Sequence, residues 1–432
     1  MSGIAMKYYL IFLYNLFLFA CVAQPYANAI FTQDIKTLEV NKEGQWNANP
    51  VIVLHSDEKI QVSFDQLSHN YRRYAYRLVH CNADWTRSEL NELEYMDGFS
   101  QNDIEKYYLS ENTWTDYTHY VFEVPNEQLQ LKLSGNYALI ITDKDRQDEV
   151  QACACFSVLD RRIHIEASVS SSTDLGYNTS YQQVNFVLNT AANQIERPES
   201  DLKILVRQNR RTDNEVFGVQ ALMTSSNQIQ YEHLPELIFD GGNEYRRFEI
   251  TTYKLSGLGV DRVRFERPFY HAYLLESGFR DHGYTYDKDQ NGRFYIRNLQ
   301  AEYDQQTEAD YFWVYFSLAV PEQYTNGCFY LFGDLTNGAF DEQYKMTYNA
   351  EKGCFGNKLF LKQGAYNYQY LYFSGPEQEK GKDQKSGKRY SSLPAEGNYW
   401  ETENEYQIFV YYRPIGAQYD ALIAYTEFQS HP

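Results

Sequence analysis

The chain has 9 histidines and 6 cysteines, few enough to weigh each as a ligand. His80, Cys81, His119, Cys153 and Cys155 form the set with soft-metal chemistry, because zinc and copper prefer imidazole nitrogen and thiolate sulfur. A site would require three separate strand-like runs to converge. A β-core histidine more commonly satisfies a hydrogen bond, and that is the expectation for both. Asp287, Asp289 and Asn291-Gly292 match the first half of a calcium loop, where alternating oxygens converge on a hard cation. The twelfth position is Asn298 rather than a bidentate glutamate, and 294–297 reads as strand, so Asn-Gly is expected to make a hairpin turn. Glu401, Glu403 and Glu405 alternate, which places three carboxylates on one strand face toward solvent or a partner rather than in acid–base geometry.

The sequence has no Gly-x-Ser-x-Gly elbow, no His-Glu-x-x-His and no Cys-x-x-Cys pair. The glycines from 375 to 382 are spaced wrongly for a phosphate loop, and Asp383 stands where a hydroxyl would have to reach magnesium. The residues therefore predict a protein that is not an enzyme, with no catalytic, metal or cofactor site and no assignable binding residue.

Positioning elements follow from composition. Across 432 residues the chain is 43% apolar and 17% aromatic, with 41 Tyr and 26 Phe, ample for two or three large cores. Tyrosine suits strands, since the ring packs on a pleated face while the hydroxyl reaches a partner. A net charge of −19 argues against nucleic acid and against basic-patch binding to anionic membrane. Lys7 precedes an apolar run from 8 to 20, and Ala27-Asn28-Ala29 is a small-x-small cleavage site, so 1–29 reads as a signal peptide. Cys21-Val22-Ala23 offers an earlier cut. Leu18-Phe19-Ala20-Cys21 approaches a lipobox, which makes a lipid anchor on Cys21 the alternative. No later run reaches the apolar length of a spanning helix, so no membrane span is expected. Export permits disulfides; Cys328 and Cys354 pair only if their strands are neighbours, whereas a bridge between Cys153 and Cys155, two apart on one strand face, is strained.

The remainder reads as strands separated by turns, an all-β chain of two to three immunoglobulin-like sandwiches in series. Expected units are 30–160, 161–305 and 306–432. In the first, 74–81 is a strand with Tyr74, Tyr76, Leu78 and His80 on one face, and Trp85 is a body to bury. Ser100 and Asp103 read as a capping box opening one short helix over 100–108, followed by a strand over 113–124. The charged stretch 375–389 is expected to be a mobile loop between strands.

A resemblance sharpens this. His80-Cys81-Asn82-Ala83-Asp84-Trp85, Glu94-Tyr95, Gly98-Phe99, Tyr117-Thr118-His119-Tyr120 and Ser134-Gly135-Asn136-Tyr137 are followed by Asp240-Gly241-Gly242-Asn243-Glu244 and Leu361-Lys362-Gln363-Gly364. Glu396-Gly397-Asn398 and Glu401-Thr402-Glu403-Asn404 complete the order. The series, from about residue 30 onward, resembles the plug protein family of the Bacteroidetes type IX secretion system. That likeness implies a periplasmic protein that closes a very large outer-membrane β-barrel translocon when no substrate passes, bound one to one, with no enzymatic activity. Leu331-Phe332-Gly333-Asp334, Met346-x-Tyr348 and the alternating tyrosines 366, 368 and 370 resemble early-set immunoglobulin-like modules related to glycan-binding domains. Those modules carry a sugar-stacking tryptophan where this chain has Thr336-Asn337-Gly338. The alternatives are a glycan-binding envelope protein and a β-sandwich hydrolase.

Overall fold

A computed structural model describes residues 25–191, 193, 195–373 and 390–430. Cys21, with residues 1–24 of the expected signal peptide, and the charged stretch 375–389 lie outside them. No described helix is long and apolar enough to cross a membrane.

The chain is all-β, as its alternation requires. In the first unit Ala29–Ile30, Glu149–Leu159, Gly135–Asp143, Tyr74–Cys81 and Asn102–Asp103 lie side by side, with Val51–Val53 parallel to Glu149–Leu159. This sheet faces another of Ile35–Lys42, Ile60–Gln66, Thr118–Val124 and Tyr107–Leu109. Their inward rings close the core: Phe64 stacks on Tyr120 at 5.2 Å, with Tyr74 edge-on to both. Each such ring, fully buried, is worth roughly 1.5–3 kcal/mol.

The short helix is Glu92–Tyr95, not 100–108; the backbone amide of Asn91 donates to Glu94 Oε2 at 2.7 Å. The expected capping residue Asp103 instead accepts from Lys144 Nζ at 2.7 Å, and Asn102–Asp103 joins the edge of Tyr74–Cys81. Sheet hydrogen bonds from a distant segment outcompeted a local cap. Similarly, the strand expected from 113 begins at Thr118. Ahead of it, the amides of Trp114 and Thr115 donate to the Asp310 carboxylate at 2.7 and 3.1 Å, tying this loop to the third unit. Trp85 is half-buried, at positive φ.

Strand pairing divides the rest differently from 161–305 and 306–432. The second unit's first sheet holds His164–Ser170, Tyr181–Asn189, Gln228–Tyr231, Met223–Thr224 and Ile238–Asp240. Its second holds Val216–Phe217 and Leu202–Gln208, then Glu405–Tyr412 and Ala421–Gln429 from the C-terminal part of the chain. The third unit, from Arg246 to Ser391, is inserted between them. Period-2 alternation marks 405–412 as a strand, but only packing decides its neighbour: Ile408 and Val410 share a core with Ile204 and Val206.

In the third unit Gly364–Phe373 is the hub of one sheet, pairing with Arg246–Glu249, Phe294–Ile296, Cys328–Phe332 and Tyr390–Ser391. The facing sheet runs Val260–Glu266, Phe269–Leu274, Tyr311–Ala319, Cys354–Lys362 and Thr347–Asn349. Cys328 and Cys354 therefore belong to different sheets, and both thiols are free.

Candidate functional site

The sequence-predicted ligands do not assemble. His80 and His119 lie on strands of opposite sheets of the first unit. His80 Nδ1 is 3.0 Å from Ser88 Oγ and Nε2 is 3.2 Å from the Ser134 carbonyl oxygen, and burial lowers its pKa to about 4, leaving a neutral ring. Cys81, Cys153 and Cys155 share the other face of that sheet, with the last two sulfurs 4.0 Å apart. Burial pushes the Cys81 thiol up to about 12. Among the described residues no cluster of three or more His, Cys, Asp or Glu side chains is arranged to hold a metal ion.

Asn291-Gly292 makes its turn with both residues at positive φ. The calcium-like carboxylates serve protein partners: Asp287 pairs with Arg247, and Asp289 accepts from the amides of Tyr245 and Asn291. Burial raises the Asp289 pKa to about 7, helped by the neighbouring charges of Glu244 and Asp287. The reading of Glu401, Glu403 and Glu405 as an outward face is corrected. The strand begins only at Glu405, whose carboxylate is buried against Arg293 Nη2 at 2.8 Å.

What the structure does bring together is the set of motifs spread along the chain. They meet at the seams between the three units. At the seam of the first and third, Lys362 Nζ reaches Asp65 Oδ2 at 2.5 Å, with both side chains fully buried. His119 Nδ1 lies 2.7 Å from Asp65 Oδ1, and the Tyr311 hydroxyl donates to Asp65 Oδ2 at 2.7 Å. The ammonium also sits over the Tyr117 ring at 4.3 Å, and the Tyr117 hydroxyl donates to the carbonyls of Gln306 and Ala309. Burial alone would push the Asp65 carboxyl up; Lys362 and His119 outweigh it and hold its pKa below the ordinary value. Removing either member would strand a buried charge.

At the seam of the first and second units, Asp420 Oδ2 accepts from the Ala83 amide and from Lys203 Nζ, each at 2.9 Å. Asn136 Oδ1 accepts from the Tyr411 hydroxyl at 3.0 Å. Ala83, Leu159, Leu205, Phe409, Tyr411 and Leu422 form a dry cluster around these bonds.

The third seam lies where the chain enters and leaves the third unit, and Arg210 of the second unit pairs across it with Asp334 of the third at 3.1 Å. Glu396 takes both carboxylate oxygens to Arg246 Nε at 3.0 Å, and the Asn243 amide donates to its backbone carbonyl at 2.8 Å. On the second unit's side of this seam, Asn404 donates to the Gly241 carbonyl at 2.7 Å and to Gln182 Oε1 at 3.0 Å. Gly241 is required by close approach, since a Cβ there would lie 2.1 Å from the Tyr399 carbonyl oxygen. All three units meet at Glu405, which takes Arg293 from the third and Asn49 Nδ2 from the first at 3.1 Å.

Beside this junction lies a cleft of about 420 Å³ with walls from all three units, including Trp46, Trp85, Arg207, Arg210 and Phe332. Its arginines are already neutralised, Arg207 by Glu215 and Arg210 by Asp334. Sequence reasoning missed the seams because motif spacing carries no record of which motif faces which. The available signal was the burial cost of charged and amide residues inside apolar runs, as in Phe64-Asp65 and Leu361-Lys362.

No curated protein matches the chain. A crystal structure of a hypothetical protein from Parabacteroides merdae ATCC 43184 is similar to it at 42% identity and TM-score 0.89, covering 94% of this chain and 100% of that one. Residues 35–160, spanning most of the first unit, match the family model described as type 9 secretion system plug protein 1st domain. With the motif order continuing through the buried seams, the chain belongs to the type IX secretion system plug protein family.

Proposed function

We propose that this protein is a non-enzymatic periplasmic plug that closes the periplasmic opening of the large outer-membrane barrel of the type IX secretion system. Family membership carries the coarser part: a periplasmic, envelope-associated protein that works with an outer-membrane component of that system. The observation that supports the finer part is mechanical. A plug has to resist deformation across a wide opening, and buried polar contacts close every seam, with the ion pairs Asp65–Lys362 and Arg293–Glu405 tying the third sandwich to the other two. Sandwiches joined only by linkers would move independently by default.

The glycan-binding alternative drew on the early-set likeness and the lipobox-like run, and the loop after Gly333-Asp334 lacks the stacking tryptophan it would need. There Thr336 is buried, and Asp334 pairs with Arg210 at 3.1 Å, so the loop packs inward. The test is affinity purification of the tagged protein from gently solubilised outer membranes, read by mass spectrometry. Recovery of one very large β-barrel protein in near-equal amount is expected. Recovery of polysaccharide, or of no barrel, overturns the plug reading.

A further inference from the structure

The outer face of the third unit's five-stranded sheet differs from the rest of this acidic surface. Its register lines up Arg262 with Tyr273, Tyr273 with Tyr315, and Tyr315 with Lys358 across four strands. The next row runs from Arg264 through His271 and Trp313 to Phe360. The first row has a cation at each end and stacked tyrosines in its middle, and the second has Arg264 at one end and rings along the rest. Arg262 lies over Tyr273 at 4.3 Å, Tyr273 stacks on Tyr315 at 4.5 Å, and Lys358 lies over Trp313 at 4.7 Å.

The opposite face of the same strands explains the alternation, because Val263, Ala272, Val314 and Leu359 pack into the core. The outward residues have no such duty. Tyr273, Trp313 and Tyr315 remain half-exposed, and Arg262, Arg264 and Lys358 are exposed. Arg262 pairs with Asp261, whereas Arg264 and Lys358 have no carboxylate within ion-pair distance among the described residues. Tyrosine, tryptophan and arginine are the residues that dominate binding energy at protein interfaces, where flat rigid rings are buried cheaply and charges set the register. A chain with net charge −19 would be repelled by another acidic surface over most of its own. On this ring-paved face Arg262, Arg264 and Lys358 outnumber the exposed carboxylates Asp261 and Glu266, so it is where such a surface can approach. Flat rings held against one another, rather than projecting on loop tips, suit a protein surface better than insertion into lipid.

We infer that this sheet face is the docking surface for an acidic periplasmic rim of the outer-membrane barrel. The inference rests on the plug reading and assigns it a contact. The test repeats the outer-membrane purification with the triple variant Arg262→Glu, Arg264→Glu, Lys358→Glu beside wild type. Arg77→Glu with Arg87→Glu, exposed changes on the first unit, serves as the control. Wild type and control are expected to recover the barrel, and the triple variant roughly tenfold less, with unchanged thermal unfolding. Trp313→Ala gives a charge-independent check and is expected to lower recovery as well. Equal recovery by wild type and the triple variant overturns the docking face while the plug reading stands. No barrel with wild type overturns both. A fourth arm uses flotation with phosphatidylglycerol vesicles. Wild type floating and the triple variant not, with barrel recovery unchanged, assigns the face to membrane and overturns the protein partner.

Discussion

Lys358 and Lys362 stand four residues apart on one strand, and each ammonium lies over an aromatic ring, at 4.7 Å from Trp313 and 4.3 Å from Tyr117. One is exposed; the other is fully buried and bound to Asp65. The difference lies in what the first unit lays over the strand. Where it covers the sheet it brings a carboxylate, a histidine and a tyrosine to meet the cation. Where it stops, the same chemistry is left facing outward. The two ends teach that lysine–ring pairing marks a surface awaiting a partner, whether that partner is another part of the chain or another molecule.

The largest effect expected from breaking this contrast is at the buried end. Lys362→Met leaves Asp65 buried without its cation, with His119 and Tyr311 as its remaining partners, and should cost roughly 3–5 kcal/mol, read from denaturant midpoints. Adding Asp65→Asn to Lys362→Met should recover part of that loss, since the stranded charge is gone; a strictly additive double mutant would refute the coupling.

Two carboxylates sharpen the comparison through pH. The Asp65 pKa is depressed by Lys362, so its contribution is present above the ordinary aspartate range and is lost as acid protonates it in the fold. Asp289 is raised to about 7 by burial with only backbone amides as donors, so its contribution is present at low pH and is lost as pH rises from about 4 through 7. Wild type should therefore lose stability between about pH 4 and 7 at this residue, and Asp289→Asn should flatten that slope in denaturant titrations across the window.

The smallest effect belongs to the exposed end. Lys358→Met should change stability by less than about 0.5 kcal/mol, measured against Lys362→Met in the same buffer. A large loss there would mean that the open face carries folding energy, which would weaken its reading as a docking surface.

Strand identity was legible wherever side chains alternate, because one face of a pleat must be apolar and the period is local. The helix lies at 92–95 rather than 100–108 because Asp103, a sound capping-box partner for Ser100 in isolation, pairs instead with the edge of Tyr74–Cys81. Glu405 was legible as a strand residue, but its environment was not: the arginine that buries it is more than a hundred residues earlier.

The sequence by itself determined an all-β chain, its exported character as an expectation, its family through the order of short motifs, and the absence of the usual catalytic signatures. Those are properties of local period, composition and order. Tertiary structure alone decided that the third unit is inserted into the second, that the motifs face one another across seams, and that one lysine of a pair is locked while the other is free. Burial and pairing of a charge depend on what arrives from elsewhere in the chain, and no local pattern records that.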